Sequence, residues 1–91
     1  MVDGGQWMVI DPDDIEWDDA NREQATRHGI TVEEIIQALL NNPTMRRNRK
    51  GRSGDYYVFG ATDGGRRIVV VVAWDSGRRG ALRPITAWEQ R

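Results

Sequence analysis

Apolar residues recur with two different periods along this chain, and the change of period falls near Pro43. Before it, between Thr31 and Asn41, apolar residues recur every three or four positions, which is the spacing of one face of an α-helix. After it, apolar and polar residues alternate, which is the period of a half-buried β-strand. The pattern therefore predicts helices in the first half of the chain and strands in the second.

A short strand and a largely polar helix are predicted at the start. The apolar run at residues 7–10 is typical of a short strand. Asp18 or Asp19 can then cap the free backbone N–H groups of a first helix. This helix is predicted to run to about His28, because Gly29 can adopt the left-handed conformation that ends a helix.

The second helix and the later strands are more strongly patterned. Thr31-Val32-Glu33-Glu34 is a capping box that begins a helix, and Asn41-Asn42-Pro43 ends it. Turn signals then separate four strand-like runs, which predicts an antiparallel meander. Residues 68–73 are nearly continuous valine, as expected of a central strand, whereas Pro84 places the last run at a sheet edge or bulge. The turn signals lie at residues 51–54, 63–65 and 75–77.

These elements, in the order β-α-α-β-β-β-β, predict one α+β domain over residues 1–91. Two N-terminal helices are expected to pack on a four- to five-stranded antiparallel sheet, because a chain of this length has room for one core. Residues 1–6 are expected to form a flexible leader. The chain has no Cys, and no apolar run is long enough to span a bilayer. The sequence therefore predicts a cytoplasmic protein without membrane contact.

The net charge of −1 conceals an uneven distribution of charge. Residues 1–43 hold ten acidic and two basic side chains, whereas residues 44–67 hold seven basic and two acidic ones. Such asymmetry predicts a local anion-binding surface or a contact with an acidic partner. The modest total argues against a protein that coats nucleic acid in general.

The basic segment 44–52 is the main candidate for phosphate binding. The RNA- or phosphate-binding candidates are Arg46, Arg49, Lys50, Arg66 and Arg67. On a strand, Arg46 and Lys50 would face one way and Arg49 the other, and Arg66 or Arg67 of the next hairpin could complete the surface. Two alternatives stay open: contact with an acidic partner protein, and an edge strand kept soluble by its charge.

Candidate groups for proton transfer are few. His28 has a suitable pKa range, although a His beside a helix-ending Gly also serves as a cap or packing residue. Tyr56 and Tyr57 fall on opposite faces of a strand, so one of them is expected in the core. The other could donate a proton or stack on a base, and Tyr57 is the candidate for this role. Arg83 interrupts the apolar alternation of the last strand, where it is either solvated or directed into a site. The carboxylates of residues 11–19 lack the spacing of a calcium loop, so no metal and no cofactor is expected.

Several short motifs in a fixed order resemble a known family. They are Ile15-Glu16-Trp17-Asp18, Asn21, His28-Gly29-Ile30, Glu33-Glu34, Asn42-Pro43, Gly60, the run 69–73 and Ile85-Thr86-Ala87. In this order they resemble the BrnT-type toxins of bacterial type II toxin–antitoxin systems, over roughly residues 15–87. The resemblance implies a RelE-like ribonuclease fold and metal-independent cleavage of RNA. It also implies neutralisation by an antitoxin protein. Because a chain this short can borrow stability from a partner, a homodimer and a toxin–antitoxin hetero-oligomer both stay open.

The predicted function is therefore that of a BrnT-like endoribonuclease toxin whose partners are RNA and an antitoxin. His28, Tyr57 and Arg83 are its catalytic candidates. Trp88 stands where members of the family usually carry an Arg. The alternative is a non-catalytic interaction module, related to such toxins, that binds an acidic protein partner or RNA.

Overall fold

The computed structural model describes residues 6–7, 10–48, 55–75 and 81–90. The elements are β1 (Gln6–Trp7), a 3₁₀ helix (Pro12–Asp14), α1 (Asp19–Ala25), α2 (Val32–Leu40), β2 (Thr44–Arg47), β3 (Tyr56–Ala61), β4 (Arg67–Asp75) and β5 (Ala81–Glu89). The five strands form one antiparallel sheet in chain order. The α+β class and the order of the predicted elements are thus confirmed, and the 3₁₀ helix is an addition.

The first helix begins where the sequence predicts and ends earlier. Asp18 is the N-cap, and its carboxylate accepts a hydrogen bond of 2.9 Å from the backbone N–H of Asn21. The helix ends at Ala25, so the prediction that it runs to about His28 is wrong. After Thr26 the backbone bonds become tighter turns, since the Arg27 N–H donates to the Gln24 carbonyl at 3.4 Å and the Gly29 N–H donates to the Thr26 carbonyl at 3.2 Å.

The second helix follows its predicted bounds. The Thr31 hydroxyl accepts from the Glu34 backbone N–H at 3.1 Å, and the Glu34 carboxylate accepts from the Thr31 backbone N–H at 3.0 Å. This reciprocal pair is the capping box that the sequence predicts. The helix ends at Leu40, and Asn42 then takes a left-handed backbone conformation with φ of 49°.

The core lies between the helices and one face of the sheet. α2 packs against β3 and β4, whereas α1 packs against β5. Ile35 and Leu39 of α2 are fully buried in the same cluster as Val58 and Val70. Gly60 permits the close approach of α2, since a Cβ at this position would overlap the backbone carbonyl of Ala38. The packing of helices on one face of the sheet therefore agrees with the coarse prediction.

β4 lies between β3 and β5, as predicted for the valine-rich run, and β5 forms an edge of the sheet. The register of β5 shifts opposite Val71 and Val72, beside Pro84, so the predicted bulge at the proline is confirmed. The outer edge of β5 is partly covered, because the backbone N–H of Glu16 donates to the Leu82 carbonyl at 2.7 Å. The Asn21 side chain similarly donates to the Pro84 carbonyl at 2.9 Å.

Parts of the predicted organisation fall outside the described residues. Gln6, the last residue of the predicted leader, lies in β1 and pairs with Met45 of β2. Residues 1–5 are not described. The turn signal at 51–54 and most of the one at 75–77 are likewise outside, whereas Asp63 and Gly64 form the predicted turn. No helix in the described ranges is long and apolar enough to cross a membrane.

Candidate nucleic-acid interface

The sheet has a second face that does not contribute to the helix-packed core. Successive residues of a strand point to opposite faces, so the neighbours of core residues such as Val58 and Val70 point away from the helices. We call this second surface the open face. Its members on the four long strands include Thr44, Arg46, Tyr57, Phe59, Ala61, Arg67, Val69, Val71, Thr86 and Trp88. None of them belongs to the core cluster that contains the helix residues.

The register arranges these side chains in two rows across the sheet. The first row runs Arg46, Tyr57, Val71, Thr86 from β2 to β5. The second row runs Thr44, Phe59, Val69, Trp88 over the same strands. Directly opposed residues have Cβ atoms about 5 Å apart. Arg46 and Tyr57 are therefore immediate neighbours in the first row.

Burial on the open face decreases from its middle outward. Val71 and Val69 of the central strand are only 2% and 4% exposed. Tyr57 and Phe59 flank them on β3 and are partly buried, and Trp88 on β5 is 36% exposed. The open face thus has two buried valines at its centre, and the accessible rings of Tyr57, Phe59 and Trp88 lie beside them.

The charged side chains among the open-face members named above are Arg46 and Arg67. Arg46 and Arg67 are both exposed, and neither makes an ion pair or a side-chain hydrogen bond within the described part of the chain. No acidic side chain occurs among the open-face members named above. The guanidinium groups of Arg46 and Arg67 therefore keep their donors available for an anion from solution. Arg binds phosphate oxygens through paired donors.

Arg66 differs from Arg67 despite being its neighbour. Its guanidinium donates to Glu34 of α2 at 3.0 Å and to Glu89 of β5 at 3.2 Å. The pKa of Glu34 is lowered, first by the hydrogen bond from the Thr31 backbone and then by the Arg66 guanidinium. Arg66 thus joins α2 to the sheet on the helix-covered side, and only Arg67 of this pair lies on the open face.

Arg83 is also engaged within the fold. Its guanidinium lies 2.7 Å from the Asp18 carboxylate, which caps α1. The pKa of Asp18 is lowered, first by the hydrogen bond from the Asn21 backbone and then by Arg83. This predicted catalytic residue therefore joins the edge strand to the start of α1.

The remaining predicted residues are dispersed. His28 is exposed in the turn between α1 and α2, whereas Tyr57 lies on the open face, so the structure does not gather them into one site. Arg49 and Lys50 lie outside the described residues. No group of three or more His, Asp or Glu side chains able to hold a metal ion is found in the ranges that are described.

Phe59 is the member of the open face that sequence reasoning missed, and Trp88 lies outside the predicted set of site residues. A signal was present, because each ring alternates with a small apolar residue, Val58 or Ala87. Both of those residues are fully buried in the core cluster. Burial of one neighbour requires the ring to point to the other face.

No protein-family model matches this chain, and neither curated proteins nor solved structures give a significant match to it. The resemblance described from the sequence motifs therefore gains no support from these comparisons.

Proposed function

We propose that this protein is a BrnT-like endoribonuclease toxin that binds RNA on the open face of its sheet and cleaves it without a metal. The observation that carries the proposal is the Arg46 and Tyr57 pair, opposed across β2 and β3 on a basic, aromatic face. The assignment to the toxin class comes from the resemblance of the ordered sequence motifs to the BrnT-type family.

Each feature of the open face suits one part of RNA. Phosphate groups are bound by Arg46 and Arg67, whose donors are unused within the described residues. Unpaired bases stack on aromatic rings, and a sheet that presents several such rings is a recurrent way to bind RNA. The absence of carboxylates among the named open-face members removes the main source of repulsion for the phosphate backbone.

The proposed reaction is internal transfer at one phosphodiester. The 2′-oxygen of the ribose bonds to the phosphorus while the bond from phosphorus to the 5′-oxygen breaks, which leaves a 2′,3′-cyclic phosphate and a 5′-hydroxyl. Tyr57 donates its phenolic proton to the leaving 5′-oxygen and recovers a proton from water. Arg46 neutralises charge on the phosphorane, and the 2′-hydroxyl proton passes to solvent.

The proposed antitoxin competes with RNA for the same surface. A partner that neutralises Arg46 and Arg67 needs carboxylates at matching positions and an apolar contact for the exposed ring of Trp88. Such a partner would block phosphate binding and ring access together.

The proposal is tested by incubating the purified chain with a mixed-sequence RNA in excess EDTA and analysing the fragment ends. The variants are Arg46→Gln and Tyr57→Phe, and Arg27→Gln is the control because Arg27 is an exposed arginine between the helices. We expect each open-face variant to cleave about a hundredfold more slowly, and Arg27→Gln to cleave normally. Cleavage that is equal in all four proteins would exclude the open face as the active site.

His28→Gln belongs in the same experiment, because His28 is the predicted acid or base that lies away from the open face. We expect unchanged cleavage by this variant. Loss of activity in His28→Gln with normal activity in Tyr57→Phe would instead move the proton-transfer step to the turn between the helices.

A second candidate function is an RNA- or protein-binding module without catalysis. It is favoured by the dispersal of the predicted catalytic set, since Arg83 is paired with Asp18 and His28 lies between the helices. RNA binding that depends on Arg46 without any cleavage would support this module over the nuclease.

A further inference from the structure

Phe59 and Trp88 occupy equivalent places on either side of one valine. Both pair with Val69, Phe59 from β3 and Trp88 from β5. Val69 itself is only 4% exposed, whereas Trp88 is 36% exposed. The open face therefore presents two partly exposed rings, one on each side of a buried valine.

The spacing of the strands separates the two rings. Neighbouring strands lie about 4.8 Å apart, so side chains on β3 and β5 start about 10 Å from each other. One base cannot lie flat on both rings at that separation. Two different bases of one strand can, with the intervening backbone above Val69.

We propose that Phe59 and Trp88 form a stacking platform that makes the open face select single-stranded RNA over duplex. This inference rests on the proposed function and names the form of its substrate. In a duplex the bases stack on one another and their faces are hidden, so rings on a flat sheet cannot reach them. In a single strand the base faces are available, and a ring accepts any base.

Charge beside the rings completes the platform. Arg67 pairs with Ala61 on the same face. This pair lies two residues along β3 and β4 from the pair of Phe59 and Val69. It is exposed, and within the described residues it makes no ion pair. Its guanidinium is therefore placed to hold a phosphate next to a stacked base. A nucleic acid strand fits the rings and the free arginines together, whereas an apolar protein segment would leave Arg67 unpaired.

Trp74 provides a matched control within the same sheet. It is 46% exposed, so it is at least as accessible as Trp88. It pairs with Leu82 of the core cluster, and its ring contacts Tyr56 with centroids 6.2 Å apart. Trp74 therefore belongs to the helix-covered side, and its loss should not affect a ligand on the open face.

The test measures binding of a fluorescent single-stranded octamer that carries 2′-O-methyl groups and so cannot be cleaved through its 2′-oxygens. A blunt duplex of the same sequence is the second probe. The proteins are the unaltered chain, Phe59→Leu, Trp88→Leu, Trp88→Phe and the control Trp74→Leu. Thermal unfolding of each variant is followed by circular dichroism, and binding is compared well below the lowest transition.

We expect the unaltered chain to bind the octamer at least tenfold more tightly than the duplex. Phe59→Leu and Trp88→Leu should each weaken octamer binding about tenfold, which is the effect of one stacked base. Trp88→Phe should retain most of the affinity because it keeps a ring, and Trp74→Leu should bind normally. Duplex binding should be similar in all five proteins.

Different failures separate this inference from the proposed function. If octamer binding is normal in Phe59→Leu and Trp88→Leu while cleavage still depends on Arg46, the stacking platform is wrong and the nuclease proposal stands. Equal affinity for octamer and duplex would also overturn the platform. If the unaltered chain neither binds the octamer nor cleaves RNA, both proposals fail.

Discussion

The two faces of the sheet share the same strands and differ in the kind of side chain that they present. The covered face carries aliphatic residues such as Val58, Val70 and Val72, all with no exposed surface. The open face carries rings and arginines around Val69 and Val71. Burying aliphatic side chains stabilises the fold, whereas exposed rings and unpaired arginines contribute less to it.

This difference separates stability from function along each strand. In β3, for example, Val58 serves the core while its neighbours Tyr57 and Phe59 face outward. Substitutions on the covered face should therefore lower the free energy of unfolding. Substitutions of exposed groups on the open face should change RNA binding and leave unfolding nearly unaffected.

The largest expected effect lies on the covered face, at Leu39. Its side chain is fully buried between α2 and the sheet, and Leu39→Ala should reduce the free energy of unfolding by about 3 kcal/mol through lost burial and a cavity. Leu40→Ala is the control, because Leu40 is 38% exposed and its loss should cost less than about 1 kcal/mol. Urea unfolding of both variants measures the difference. Equal effects would contradict the position of α2 on the sheet.

A somewhat smaller effect is expected where α2 and the sheet approach most closely. Gly60→Ala adds a methyl group that overlaps the Ala38 carbonyl, so we expect a loss of about 2 kcal/mol. Gly64→Ala is the matched control, since its added Cβ would meet only the Thr62 hydroxyl, at 3.9 Å. A Gly60→Ala protein as stable as the original in urea would show that α2 can move away at no cost.

Local signals in the sequence were sufficient for most of the fold. Both capping boxes lie within four consecutive residues, and the change from helical to alternating period marks where the sheet begins. The predicted end of α1 is too late because Gly29 marks the end of the whole turn, whereas the helical hydrogen bonds already give way to tighter turns after Thr26.

The candidate site was harder to predict because it depends on distant partners. Alternation shows that Tyr56 and Tyr57 face opposite ways, but which one is covered is decided by the helices packed on the sheet. Likewise, Arg66 is bound by Glu34, which lies 32 residues away in sequence. No pattern within the basic segment distinguishes it from Arg67.

These adjacent arginines give the third prediction. Arg66→Gln should lower the melting temperature by a few degrees and leave octamer binding unchanged, because it removes the contacts to Glu34 and Glu89 on the covered side. Arg67→Gln should leave the melting temperature nearly unchanged and weaken octamer binding. Thermal unfolding and a salt titration of binding measure the two effects.

The salt titration decides what Arg67 contacts. Loss of one phosphate contact should reduce the slope of log affinity against log salt concentration by about 1 in Arg67→Gln. An unchanged slope with weaker binding would mean that Arg67 does not contact phosphate. The reverse assignment, with Arg66→Gln altering the slope, would contradict the division between the two faces.

The smallest expected effect concerns the ion pair that joins β5 to α1. The folded protein lowers the pKa of Asp18, so the charged carboxylate stabilises the fold above its unfolded pKa and this contribution is lost as the pH falls through the lower folded value. Asp18→Asn should therefore melt slightly below the original protein at pH 7, because Asn still caps the helix but cannot pair with Arg83. The difference in melting temperature should begin to shrink below about pH 4, where Asp18 of the unfolded chain starts to take up a proton, and it should vanish as the pH falls through the lower folded pKa.

Two controls sharpen this pH measurement. Glu23→Gln removes one negative charge from an exposed position on the same helix, and it should not reproduce the pH dependence of Asp18→Asn. Arg83→Gln should lower the melting temperature at pH 7 as Asp18→Asn does, and the double variant should be no less stable than either single one, since both remove the same contact. If Arg83→Gln instead abolishes RNA cleavage at unchanged stability, the guanidinium leaves Asp18 to act on the substrate. β5 would then contribute a catalytic guanidinium in addition to the Trp88 ring, and the Arg83–Asp18 pair would not be a purely stabilising contact.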